Sequence, residues 1–166
     1  MAGSVTRGAL SLAAAAILAA SAGCAYSFTG NLPGHLSTVR VAQFRSSVQE
    51  YGLEQELNSL FVSELISGGR LSVVTESPDA LVECQVTGFF RTPYSFSASE
   101  EIEEYKLEMR VSLEFTDLVM DRSILDDEPV DEWIVYDPDL EEYSTAKQRL
   151  LGIVAEEMAR RCISGW

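Results

Sequence analysis

Apolar and polar positions alternate most clearly between Tyr105 and Phe115. Tyr105, Leu107, Met109, Val111, Leu113 and Phe115 fall on one face of an extended chain, and Lys106, Glu108, Arg110, Ser112 and Glu114 on the other. A period of two over that length marks a half-buried strand. The same pattern sets Val82, Cys84, Val86 and Phe90 against Glu83, Gln85, Thr87 and Arg91, and predicts a strand before it. Shorter extended runs lie at Val39 to Phe44, at Leu71 to Thr75, and at Trp133 to Tyr136 after an acidic turn, Asp126 to Glu128. Twice the period becomes helical. Leu53, Leu57, Leu60, Phe61 and Leu65 form one stripe, stopped by Gly68-Gly69 because glycine accepts the left-handed C-cap conformation at little cost. Leu151, Val154, Ala155, Met158 and Cys162 form the inner stripe of a last helix, with Lys147, Arg149, Glu156, Arg160 and Arg161 mostly outside. The order β-α-β-β-β-α predicts an α/β fold of the α+β sandwich kind: a mixed sheet with two helices packed on one face. A right-handed crossover lays the first two strands parallel. The second sheet face is left open, half of it polar.

The N-terminus follows a different grammar. Arg7 supplies positive charge, Ala9 to Ala20 form an apolar run, and Ser21-Ala22-Gly23 place small residues before Cys24. This is the layout of an export signal, and the run is shorter than the ~20 residues that a spanning helix needs. The cysteine after the cut resembles the lipobox of bacterial lipoproteins, with Ser21 where that motif usually has leucine. The resemblance implies cleavage before Cys24 and its lipidation, and more than one acyl chain gives durable anchoring. The chain then divides into a removed signal peptide, residues 1–23, a lipidated cysteine and tether, 24–36, and a single domain, 37–166.

Charge narrows the partners. The net charge is −14, and removing the segment that holds Arg7 makes it one more negative. Nucleic acid is disfavoured, because phosphate binding needs clustered Lys and Arg. An enzyme is disfavoured by the inventory. The single histidine, His35, lies in the tether, far in sequence from any serine or cysteine partner, and a triad needs a base. Cys84 and Cys162 have neither CxxC spacing nor a nearby histidine, so no zinc or other cofactor site is expected. The acidic clusters Glu100 to Glu104 and Asp137 to Glu142 follow no EF-hand pattern and read as solvated loops. Cys84 and Cys162 both fall on core-facing stripes, where they either form a disulfide, in an oxidising compartment, or pack as buried free thiols.

An ordered series of segments resembles a known family. Cys24-Ala25-Tyr26-Ser27-Phe28 is followed by Leu32-Pro33 before a Val-x-Val strand, Tyr51-Gly52-Leu53-Glu54-x-Glu56-Leu57, Gly69-Arg70-Leu71-x-Val73-Val74, and Asp79-Ala80 opening a strand. Glu104-Tyr105, Asp137-Pro138 and the C-terminal helix continue it. Together they are similar to the lipopolysaccharide-assembly lipoproteins (LptE-like). The resemblance implies an outer-membrane lipoprotein, lipid-anchored and facing the periplasm, held inside the barrel protein LptD. Such a protein helps that barrel assemble and handles lipopolysaccharide.

Lipopolysaccharide is anionic and this domain is too, so any contact needs a local basic patch. Arg91, Lys106 and Arg110 are the candidates, because simple alternation puts all three on the open face near one hairpin. Alternatively they pair with Glu83, Glu108 and Glu114 across strands, for under ~1 kcal/mol each. Tyr94 and Phe96, in a hairpin loop from Thr92 to Ile102, either anchor a partner or acyl chain or fold back on the domain edge. A second function class is a periplasmic lipoprotein that docks on and regulates a cell-wall synthase, and a third is a passive structural lipoprotein.

Overall fold

The computed structural model describes residues 32–164, so Cys24, the signal peptide and the first part of the tether lie outside the described residues. The elements are β1 (Thr38–Val41), β2 (Arg45–Ser46), α1 (Leu53–Gly68), β3 (Ser72–Val73), β4 (Ala80–Phe96), β5 (Ile102–Asp117), β6 (Arg122–Tyr136) and α2 (Tyr143–Ser164). They build one six-stranded mixed sheet in the order β3-β1-β4-β5-β6, with β2 also on β4. β1 runs parallel to β3 and β4, as the helical crossover requires, and β4, β5 and β6 form an antiparallel meander. The expected sandwich is present; the extended run at Trp133 to Tyr136 is the end of the longer strand β6, and β2 is a further short strand.

Each element follows from its residues. Leu53, Leu57, Phe61 and Leu65 form the buried stripe of α1, and Gly69 ends the helix at φ 63° with its N–H on the Ile66 carbonyl. Val39 to Phe44 is not one strand. The chain bends after Val41, and Phe44 is buried with its ring 5.6 Å from that of Phe61. Leu151, Val154, Ala155, Met158 and Cys162 of α2 are all buried, facing Leu107, Met109, Val111, Leu113 and Phe115 of β5 in the same core. The acidic segment Asp126 to Glu128 is not a turn. It lies inside β6, where a bulge opposite Leu113 and Phe115 takes up Asp127 at φ 49°. The turn comes earlier, at residues 118–121.

β4 is 17 residues long, about 55 Å at ~3.3 Å per residue, and it gives the molecule two distinct ends. At one end the N-terminal segment enters. Asp79 binds the backbone N–H groups of Ser37 and Thr38 and the Ser37 hydroxyl at 2.9 Å, which holds its carboxyl well below the usual carboxylate range. Leu36 is buried and Leu32 packs against the core, so the fold takes in the last part of the tether. At the far end are the β4–β5 loop, residues 97–101, and the segment leading into α2.

Candidate functional site

The face of the β4–β5–β6 meander opposite the helices carries the candidate site, and a β-bulge decides what is on it. Pairing between β4 and β5 slips between Val86 and Gly88. One extra residue in a strand reverses the face of everything beyond it. Before the bulge Val86 faces Val111 in the core; after it Phe89 faces Met109, and Phe90 faces Glu108 on the open side. Phe90, expected in the core, is therefore 45% exposed. Gly88 lets its ring lie back on the strand: a Cβ there would come within 2.6 Å of Phe90 Cε2.

The same bulge corrects the expected basic patch. Arg91 pairs opposite Leu107, so it belongs to the helix side and not to the open face. Its guanidinium stands 3.8 Å from the Tyr105 ring centroid and 5.5 Å from those of Tyr136 and Tyr143. Tyr143 begins α2, so Arg91 closes the seam between sheet and helix. Burial raises both the Tyr136 and Tyr143 hydroxyls, Tyr143 to about 12.

Lys106 and Arg110 do share the open face. They clamp the intervening Glu108, with Lys106 Nζ on Oε2 at 2.7 Å and Arg110 Nε on Oε1 at 2.8 Å. Hydrogen bonds from Lys106 and then Arg110 hold the Glu108 carboxyl below its ordinary range. The pairing runs along one strand with Glu108; neither Glu83 nor Glu114 joins an ion pair among the described residues. Both cations also meet aromatic rings. Lys106 lies 5.1 Å from the Trp133 ring centroid and Arg110 5.3 Å from that of Phe90.

Tyr94 and Phe96 belong to the end of β4, because the strand runs on through residues assigned by sequence to the loop. Tyr94 stacks on Trp133 at 6.5 Å and 29°. Phe96 is exposed further along. Trp133 is a member of the site that the hydrophobic pattern of its own strand does not mark. Its place follows from pairing opposite Glu108, which puts it beside Lys106. Phe90, Tyr94, Lys106, Glu108, Arg110 and Trp133 thus form one half-exposed amphipathic patch, aromatic with two cations and one carboxylate.

The remaining candidates lie elsewhere. Cys84 and Cys162 are buried free thiols in one core, and burial pushes each to about 12, with the neighbouring Cys84 adding to the shift at Cys162. His35 Nε2 lies 2.7 Å from Asp117 Oδ2. The other partners of that buried carboxylate are the N–H groups of Val119 and Met120 and the Arg122 side chain. The two acidic clusters meet at the far end around an open hollow of about 450 Å³ lined by Glu101, Glu103, Glu104, Asp137 and Asp139. Among the described residues no three His, Cys, Asp or Glu side chains are placed to hold a metal ion.

The fold and this face define the class: an α+β sandwich with a helix-covered core side and an amphipathic patch on the uncovered side of its sheet. The chain belongs to the LptE family of lipopolysaccharide-assembly proteins, whose model matches residues 36–164. That is a family of non-enzymatic, membrane-anchored envelope lipoproteins. No curated protein matches the sequence. Among solved structures, lipoprotein B of Nitrosomonas europaea superposes with a TM-score of 0.57 at 14% identity, over 82% of this chain and 87% of that one. A Xanthomonas campestris protein gives 0.52 at 12% identity, over 81% and 91%. A Chlamydia trachomatis protein gives 0.51 at 10%, over 76% and 93%. Likeness at such identities establishes a shared fold.

Proposed function

We propose that this lipopolysaccharide-assembly lipoprotein is held in the outer membrane through a lipidated Cys24, faces the periplasm, plugs and helps assemble the LptD barrel, and touches lipopolysaccharide with its open sheet face. It performs no catalysis in this role. The observation that carries the ligand contact is the convergence of Lys106 and Arg110 with Phe90, Tyr94 and Trp133 on that face. Two cations suit the phosphates of an anionic amphiphile, and half-exposed rings suit its acyl chains or sugars. Arg91 is excluded from the contact by its position among the tyrosines. The family match over nearly the whole described domain supports the barrel partner.

Two measurements test this. Lipopolysaccharide binding by the purified domain is expected to fall at least tenfold in the double variant Lys106→Glu/Arg110→Glu and to stay unchanged in Arg91→Ala; equal affinity in all three rules out the patch. A mild-detergent pull-down of the lipidated protein is expected to recover a large outer-membrane barrel in near-equal amount. Recovery of a cell-wall synthase instead would replace the barrel reading with the regulatory one.

A further inference from the structure

The end of the molecule where the chain enters carries a second apolar feature. The β5–β6 turn presents Leu118, Val119 and Met120 in succession to solvent, with Val119 59% and Met120 57% exposed. None of the three belongs to the buried core, and apolar side chains at consecutive exposed positions of a turn tip mark a candidate contact surface. The tip is firmly built. Asp117 Oδ1 accepts hydrogen bonds from the N–H groups of both Val119 and Met120 at 3.0 Å, and the Leu118 N–H donates to the Asp79 carbonyl at 2.8 Å. The same Asp117 binds His35 of the incoming segment through Oδ2. One buried carboxylate therefore ties the apolar tip to the stretch of chain that leads back to Cys24.

We propose that the Leu118–Val119–Met120 tip is a membrane-docking surface, inserted into the leaflet that holds the lipid on Cys24. The proposal rests on lipidation of Cys24. Seven residues lie between Cys24 and Leu32, and the eight steps they make, fully extended, reach at most about 29 Å. The anchor thus keeps this end of the domain close to the bilayer in every orientation, whereas the far end, about 55 Å along β4, meets it only if the domain lies flat. Three apolar side chains would bind a membrane only weakly alone. Tethered beside it they face an effective lipid concentration high enough for weak contact to persist. The charge distribution favours the same pose, since Glu100, Glu101, Glu103, Glu104, Asp137 and Asp139 cluster at the opposite end, more carboxylates than the exposed Glu76 and Asp121 that stand with Arg122 near the tip. Docking at both points would fix the tilt of the domain, which one flexible tether would leave free.

The test uses the full lipidated chain in vesicles of phosphatidylethanolamine and phosphatidylglycerol. Met120→Cys supplies a site for an environment-sensitive dye, Cys84 and Cys162 being buried, and Ala98→Cys labels the far loop. With the protein floating with the vesicles, the dye at position 120 is expected to emit at shorter wavelength and be quenched by spin-labelled lipid, while the dye at position 98 emits as in water. Adding Leu118→Asp and Val119→Asp should return the dye at position 120 to aqueous emission without loss of flotation or of the far-ultraviolet circular dichroism. Aqueous emission at position 120 in a floating protein overturns the proposal, including the case in which the tip is covered by a barrel or a second copy instead. A blue shift at both positions also overturns it, since the domain would then lie flat. Failure to float overturns Cys24 anchoring itself, and the docking with it.

Discussion

Truncating Phe90 to alanine distinguishes the bulged strand from a regular one. With unbroken alternation Phe90 would be a core residue, and Phe→Ala in a core costs about 3–5 kcal/mol. With the bulge at Val86 and Gly88 its ring is on the open face, 45% exposed. A phenylalanine buries roughly 150–250 Å² when fully enclosed, so about 100 Å² is sheltered here, or about 2.5 kcal/mol at ~25 cal/mol/Å². Residual compactness of the unfolded chain and the Cβ that alanine keeps lower this to about 1.5 kcal/mol. The Arg110 contact adds about 0.5 kcal/mol. No cavity forms, since water fills the site. Phe90→Ala is thus expected to cost about 2 kcal/mol by urea denaturation, against about 3–5 kcal/mol for the fully buried Phe61→Ala. Gly88→Ala sharpens the comparison. Its Cβ would displace the Phe90 ring in the otherwise unchanged protein, but in Phe90→Ala it would only stiffen the strand, worth about 0.5–1 kcal/mol. The double-mutant cycle should give a coupling of about 1–2 kcal/mol. Equal losses for Phe90→Ala and Phe61→Ala, or no coupling between positions 88 and 90, would refute the bulge and the patch built on it.

Three other outcomes follow from the same geometry. Arg91→Ala should destabilise the domain by about 1 kcal/mol in urea unfolding, through loss of its stacking on Tyr105 at the sheet–α2 seam. Burial alone would raise the Asp117 carboxyl, but the Met120 N–H, His35 and Arg122 more than offset that and hold it below its ordinary value. A depressed folded-state pKa contributes stability above the unfolded value near ~4 and loses it as pH falls through the folded one. Melting temperature should therefore drop below about pH 4 in the native protein, and the drop should be shallower in Asp117→Asn. Cys84 and Cys162, buried out of reach of reagent and with thiols that burial pushes up to about 12, should resist alkylation in the folded protein and react in urea without reductant. Modification only after reduction would show a disulfide instead.

Much of the fold was legible because burial imposes a period. Leu107, Met109, Val111, Leu113 and Phe115 alternate without interruption on a strand buried on one face, and α1 and α2 keep helical spacing against it. The rest was obscured wherever an extra residue broke the period. β6 went largely unrecognised because the bulge at Asp127 separates Leu125 from Val130, Ile134 and Tyr136, and the intervening residues are acidic. Simple alternation puts Arg91 and Phe90 on the wrong faces for the same reason. A signal did exist: Gly88 sits in the interior of a regularly alternating strand, where glycine often marks a bulge or a close approach. Trp133 could not be placed from periodicity at all, because its role comes from a neighbouring strand's register.

The corrected register also answers the objection that an acidic protein should repel an anionic lipid. Electrostatic interactions are screened over about 8–10 Å at physiological ionic strength, so a ligand on one face responds to the charges near it more than to the net −14 of the chain. Around Phe90 and Trp133 the sheet presents Lys106 and Arg110 against Glu104, Glu108 and Asp131, which is close to local balance and far from the net charge of the chain. Glu108 is moreover engaged by both cations, so an incoming phosphate would exchange with it for their donors without first having to overcome a field of like charge. The excess negative charge resides at the far hairpin end, in the segment before α2 that holds Glu141 and Glu142, and along α1 at Glu54, Glu56 and Glu64, whereas α2 sets Lys147, Arg149, Arg160 and Arg161 against Glu156 and Glu157. If this partition governs binding, removing carboxylates at the far end should leave lipopolysaccharide affinity at physiological salt nearly unchanged. Replacing Glu108 with Gln should raise it, because both cations would then lose their competing anion.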